Sequence, residues 1–116
     1  MRNMSFAMTT EQIRSRAKTC TRRLGWLFAK IGDVVQPVVK GQGLKKGEHV
    51  EYINGPIRFT KVRREPLWWI TRADIVWEGF QGMAWDEFIA MFCKANRCGP
   101  QTCVTAIYFE YVGEKT

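Results

Sequence analysis

The chemistry-bearing side chains of this 116-residue chain crowd into one segment, RSRAKTCTRR, residues 14–23. Lys18 sits among Arg14, Arg16, Arg22 and Arg23. Like charges at that density disfavour the ammonium form, and a lysine with a lowered pKa works as a base or a nucleophile near neutral pH. Thr21 follows three residues later, and its hydroxyl becomes nucleophilic only when a neighbouring base takes its proton. The same residues also suit two simpler roles, a phosphate contact or a solvated basic turn whose cations complement a helix dipole. A second candidate is WEGF, residues 77–80. A carboxyl between an aromatic ring and a glycine can be partly desolvated, and a raised pKa would suit Glu78 to proton transfer. The alternative is a helix-end carboxylate paired with an arginine.

Aromatic residues supply a third constellation. Adjacent side chains on an extended segment point opposite ways, so one of Trp68 and Trp69 is expected to be exposed. Beside Arg63, Arg64 and Arg72 it would stack a base while the arginines hold phosphate. Trp85 is expected in the core. The balance of 18 Lys and Arg against 11 Asp and Glu gives a net charge of +7, which attracts polyanions in a salt-dependent way.

Four cysteines are present. Cys93, Cys98 and Cys103 stand five residues apart, wider than the close pairs typical of zinc sites. A site of three cysteines and His49 is arithmetically possible, as is a disulfide within the cluster, but neither a metal nor any other cofactor is expected. No apolar run approaches the roughly 18 residues needed to cross a bilayer, so the expectation is a cytoplasmic protein with reduced thiols and no membrane partner.

These residues need elements to position them. MSFAM, residues 4–8, reads as a strand, and TTEQIRSRA as a helix that Thr9 caps, with Gln12 at the capping-box position. That helix delivers KTCTRR just past its end. LGWLFAKIGD offers Leu24, Leu27 and Phe28 as one side of a helical turn. VVQPVVK follows as a strand that Pro37 confines to an edge or a bulge. GQGLKKG is a loop with Lys45 and Lys46 at its tip. EHVEYI and IRFTKVRRE read as two strands joined through Asn54-Gly55, with imperfect alternation in the second. RADIVWE is a short helix capped by Thr71 and closed by Gly79. AWDEFIAMFCKAN is the clearest helix, with Trp85, Phe88, Ile89 and Phe92 on one stripe, and TAIYFEYV closes the chain as a strand. The order implies a single domain over residues 1–116, in the α+β class, with a small curved barrel and helices packed at its ends.

With these residues in place the chain resembles the ASCH family, small domains similar to the PUA-like RNA-binding barrels. A family signature of the form G-x-K-x-x-[T/E]-x-R is similar to RAKTCTRR, with Lys18, Thr21 and Arg23 at matching spacings. The family's PGD turn resembles IGD, Ile31 to Asp33. Its later acidic segment resembles ADIVWEGF with Glu78, and the helix after it resembles AWDEFIAMF. The likeness runs from about Met4 to Val112 and extends to small ASCH proteins carried by bacteriophages and prophages. It implies a PUA-like barrel with a cleft between barrel and helices. In members that deacetylate an acetylated cytidine nucleoside, it implies a catalytic set carried here by Lys18, Thr21 and Glu78. Thr21 would attack the amide, Lys18 would take its proton, and Glu78 would serve the leaving amine. Other members resemble RNA-binding modules or ribonucleases. Arg16 stands where the signature has glycine, which permits positive φ or close backbone approach, and with Arg22 it adds charge that favours a phosphate-bearing ligand.

The leading expectation is therefore an ASCH-like domain that binds RNA or a nucleotide-like ligand in a basic cleft. An amidohydrolase acting on acetylated cytidine is the second, and a phage accessory protein that docks a host protein through tryptophan and arginine is the third. The oligomeric state is not legible.

Overall fold

The computed structural model describes residues 1–41 and 46–113; Lys45 of the expected loop lies outside them, and Lys46 is exposed. Five strands, β1 (Arg2–Ser5), β2 (Cys20–Arg23), β3 (Val34–Val38), β4 (Ile57–Pro66) and β5 (Cys103–Tyr111), form one sheet in the order β1-β3-β4-β5-β2. β1 runs parallel to β3, and the other pairs are antiparallel. Three helices, α1 (Thr10–Arg14), α2 (Arg72–Trp77) and α3 (Trp85–Asn96), complete a mixed α+β architecture.

The central pair is β4 with β5. Ile57 and Phe59 point inward, the register then slips between Phe59 and Lys61, and the alternation changes side. This bulge is the physical cause of the imperfect pattern in IRFTKVRRE, because one extra residue re-aims every side chain after it. Ile57, Phe59, Ile107 and Phe109 pack with Met4, Phe6 and Ile13 into one apolar cluster. Each such side chain contributes roughly 1.5–3 kcal/mol when fully buried. A second cluster joins Leu67 and Val104, at the far end of β4 and β5, to Ile75 of α2 and Phe88, Ile89 and Phe92 of α3. The helices α2 and α3 therefore cover one end of the sheet.

Several sequence expectations change here. β3 is not an edge strand; β1 and β2 are. Proline is tolerated in β3 because β4 pairs only with Val34 and Val35. By Pro37 it has left, and the Ile53 N–H donates to the Pro37 carbonyl, the one ladder role that proline keeps. EHVEYI forms no strand beyond a single bridge from Tyr52 to Val38. Its Asn54 does turn the chain, at φ 58, but its side-chain amide donates to the carbonyls of Ile13 and Arg14, so it satisfies the open end of α1. The N-terminal strand stops at Ser5, and Ala7–Thr9 forms a 3-10 turn. Thr9 precedes α1 without a capping hydrogen bond from its side chain. Leu24, Leu27 and Phe28 lie in an exposed loop with no helix.

The backbone ladder ends at β1 on one side and β2 on the other, but the sheet curls until these edges face each other. The Arg23 guanidinium on β2 donates to the Ser5 carbonyl on β1 at 2.6 Å and lies over the Phe6 ring. A side chain spans the seam that no strand pairing closes.

Candidate functional site

The cleft lies over that seam. β2 is short and antiparallel to β5, with Thr21 opposite Ile107 and Arg23 opposite Thr105. Strand alternation sends Thr21 and Arg23 to one side and Cys20 and Arg22 to the other, and the hydrogen bonds follow. Arg23 Nε donates to Thr21 Oγ1 at 3.1 Å, and Arg22 reaches Cys20 Sγ at 3.3 Å.

Lys18 precedes β2, and three main-chain bonds fix it. Its N–H donates to Gln12 O, the next N–H, that of Thr19, donates to Trp77 O, and its carbonyl accepts from Tyr111 OH. Across from it, Thr71 caps α2, as expected from the sequence, and Asp74 returns the bond to make a reciprocal capping box; Glu78 follows the last residue of α2. Gly79 then turns at φ 101. A Cβ there would fall 2.7 Å from Gln12 Cγ, so glycine is required both for the turn and for the close approach to α1.

These constraints bring residues 60 apart in sequence together. Lys18 Nζ donates to Glu78 Oε1 at 2.7 Å and to the Glu78 carbonyl at 2.8 Å, with side-chain exposures of only 3% and 5%. Burial lowers the Lys18 pKa, and the nearby Arg23 charge lowers it further, against the pull of Glu78 in the other direction. Glu78 Oε2 lies 3.8 Å from Arg22 Nη1, and among the described residues it has no hydrogen-bond partner. Lys18, Thr21, Arg23 and Glu78 all line one cleft of about 250 Å³. Its remaining walls are largely apolar, from Phe6, Phe80 and, on α3, Phe88 and Met91. Burial draws the Arg23 guanidinium down to about 10, so it remains a cation at neutral pH.

Arg22 touches the cleft margin but is spent elsewhere. Its Nη2 bonds Asp74 Oδ2 at 3.0 Å and Glu65 Oε2 at 3.3 Å, with no side-chain exposure. Tyr108 OH donates to Asp74 Oδ1 at 2.8 Å, and Arg63 pairs with Glu65. Burial works against the Asp74 charge, but the Thr71 N–H, Tyr108 and Arg22 outweigh it and hold the carboxyl below its ordinary range. Burial and the bond to Asp74 push the Tyr108 hydroxyl up to about 12. Sequence reading found Arg22 but neither Glu65, Asp74 nor Tyr108 as its partners. The available signal was parity on β2, which separates Arg22 from Thr21 and Arg23. The aromatic cleft walls also went unread, because apolar residues on α3 look like core from the sequence.

The remaining expected contacts lie outside the cleft lining. Arg63 and Arg64 are exposed on β4, bonded to Tyr108 and Thr105. Trp68 and Trp69 are both half exposed, at 50% and 55%, and pack edge to face; a 3-10 turn over Leu67–Trp69 replaces the extended backbone that would have hidden one ring. Arg72 borders a separate surface depression with Trp85. Trp85 is 37% exposed rather than core, with its indole N–H donating to Ile70 O. Arg16 carries the positive φ, 65°, that glycine would adopt freely, and its guanidinium lies over the Tyr111 ring. Among the described residues, no three His, Cys, Asp or Glu side chains form a metal-binding group, and no helix is long and apolar enough to cross a membrane.

No protein-family model matches the chain, and no curated protein matches it. The fold is similar to the crystal structure of protein EF3133 from Enterococcus faecalis V583, a DUF984 protein. The TM-score is 0.66 at 16% identity, over 97% of this chain and 76% of that one. At that identity the likeness is one of fold.

Proposed function

We propose that the chain is an ASCH-like domain of the PUA-like type and that its cleft binds one nucleoside or nucleotide unit, free or at the end of an RNA strand. The fold likeness to an ASCH-like DUF984 protein supports the class. The observation that carries the ligand is the cleft itself. It holds about 250 Å³ between aromatic walls, with two cations and a buried carboxylate oxygen without a hydrogen-bond partner at its floor. That volume lies just below the usual range for ligand pockets, roughly 300–1,000 Å³, and suits no more than one base with its sugar. A buried acceptor without a partner costs about 1–3 kcal/mol, and an exocyclic amine or amide N–H of a base would satisfy Glu78 Oε2. Phe80 offers an apolar face on which a base packs, and Arg23, already over the Phe6 ring, is the cation nearest the seam for a phosphate.

The test is calorimetric titration with cytidine, cytidine monophosphate and a short single-stranded RNA at low and high salt. Binding of at least one that is lost in Lys18→Ala and Arg23→Ala is the expected result. No binding, or binding indifferent to both substitutions, would overturn the reading.

The joint placement of Lys18, Thr21 and Glu78 on one cleft also favours an amidohydrolase. Neutral Lys18 would accept the Thr21 proton as Oγ1 attacks the amide carbonyl. Glu78, receiving that proton from Lys18 across their 2.7 Å hydrogen bond, would pass it to the departing amine; water, giving a proton to Glu78, would then hydrolyse the threonine ester, and the proton would return to Thr21 Oγ1. The lowered pKa of Lys18 supports the first step. Incubation with acetylated cytidine, followed by chromatography, should show deacetylation that disappears in Thr21→Ala; turnover surviving in both Thr21→Ala and Lys18→Ala would exclude this mechanism.

A further inference from the structure

Two of the cysteines outside the cleft floor are joined by a main-chain hydrogen bond. α3 ends on a left-handed residue, Arg97 at φ 52, and the N–H of Cys98 then donates back to the Cys93 carbonyl at 3.1 Å. This is the six-to-one bond of a Schellman ending, which brings the side chains of the two residues it joins into contact. That contact is usually made by a pair of hydrocarbons. Here both residues are cysteines, and both are partly buried against the cluster of Phe88, Phe92 and Val104. The helix ending thus holds the two sulfurs together without any distant element. The other two cysteines are placed differently: Cys20 is buried beside Arg22, and Cys103 is exposed at the start of β5.

We propose that Cys93 and Cys98 form an oxidation site, in which a peroxide converts the thiol pair to a disulfide across the C-terminal turn of α3. Cys98, as thiolate, attacks the peroxide; the O–O bond breaks, leaving a sulfenic acid and hydroxide, which takes up a proton to become water. The Cys93 sulfur then attacks the Cys98 sulfur, the S–O bond breaks, and a second water leaves with the Cys93 proton. In total, two thiols and one hydrogen peroxide give one disulfide and two waters. Burial and the neighbouring thiol raise the Cys93 pKa, which suits Cys93 to the second step; exchanging the two roles gives the same disulfide. Cys20, raised to about 12 mainly by burial, stays a thiol. The reaction reports on the cleft as well, because the last turns of α3 contribute Phe92, Ala95 and Asn96 to its wall. A bond between residues 93 and 98 pins that turn.

The full chain, treated with a small excess of hydrogen peroxide and blocked with iodoacetamide in denaturant, should retain two of its four thiols. Lys94 and Arg97 lie between the two cysteines, so trypsin cuts inside the loop. The expected product is a pair of tryptic peptides held together by the Cys93–Cys98 bond and separated by dithiothreitol. The link should vanish in Cys98→Ser and persist in Cys103→Ser. Four free thiols after treatment, sulfinic acid on a single cysteine, or a link involving Cys20 or Cys103 instead would overturn the proposal. Cys98 and Cys103 fall on one tryptic peptide, residues 98–115, so fragmentation of the wild-type linked pair must find the iodoacetamide label on Cys103; none of these readouts depends on the cleft ligand.

Discussion

Arg22 and Arg23 are consecutive residues of one strand and have opposite surroundings. Arg22 is enclosed by the carboxylates of Glu65, Asp74 and Glu78. Arg23 faces the cleft and, among the described residues, has only a threonine hydroxyl and a main-chain carbonyl as hydrogen-bond acceptors. The same side chain is structural at one position and available for a ligand at the next. The difference comes from β-strand parity on an edge strand, one side of which meets the acids of α2 and β4 while the other meets the seam. A cluster of arginines in sequence is therefore not one basic patch. Within the cluster Arg22 is neutralised by buried carboxylates, and the positive charge in the cleft is carried by Arg23 beside Lys18.

The largest expected effect tests this division directly. Arg22→Ala should destabilise the fold by about 3–5 kcal/mol in chemical denaturation, since it strands buried carboxylates without their cation. Arg23→Ala should cost far less stability. Equal losses would erase the distinction. Next comes Gly79→Ala, at the joint between the two environments. Left-handed strain of about 1–2 kcal/mol and a forced retreat from Gln12 of about 1–3 kcal/mol together predict a loss of about 2–5 kcal/mol, measured as a lower unfolding midpoint. It should also weaken ligand binding, because Glu78 moves with the turn. On the cleft side, Arg23→Ala should reduce affinity for a nucleoside monophosphate at least tenfold, or about 1.4 kcal/mol, with a smaller effect on the unphosphorylated nucleoside.

A pH series sharpens the acidic side of the comparison. The folded Asp74 pKa lies below its ordinary value of 3.8. Its contribution to stability is therefore complete above that value and is lost as pH falls through 3.8 towards the folded pKa. Asp74→Asn should be less stable at neutral pH and should lack this acid-dependent slope. The smallest effect belongs to Arg16→Gly. Relief of the left-handed backbone, set against a lost contact with Tyr111 of about 0.5–1 kcal/mol, predicts a net gain of less than ~1 kcal/mol.

The parts legible in the sequence were those fixed locally. The Thr71 cap, the Gly79 stop, the long helix α3 and the closing strand β5 each depend on residues within a few positions of one another. The grouping of Lys18, Thr21 and Glu78 was reached through family spacing, since nothing local links residues 60 apart. What escaped was decided by tertiary context. Pro37 became acceptable in an interior strand because β4 departs before reaching it. Asn54 turned from a hairpin residue into the cap of a helix whose last residue lies 40 positions earlier. Trp85 kept its helix but used its indole as a hydrogen-bond donor at the rim. The bulge after Phe59 was visible as a broken alternation, though its consequence, which placed Glu65 inside, needed the register.

The Arg23 contact with Ser5 closes the curled sheet with one flexible side chain where a strand ladder would have supplied several main-chain bonds. Such a seam opens by rotation about side-chain torsions and leaves the hydrogen-bonded strands on either side intact. A guest that draws the guanidinium toward its own phosphate would unlatch the two rims as it binds. Its arrival would be felt as faster amide exchange near β1, while the β4–β5 pair stays as protected as before.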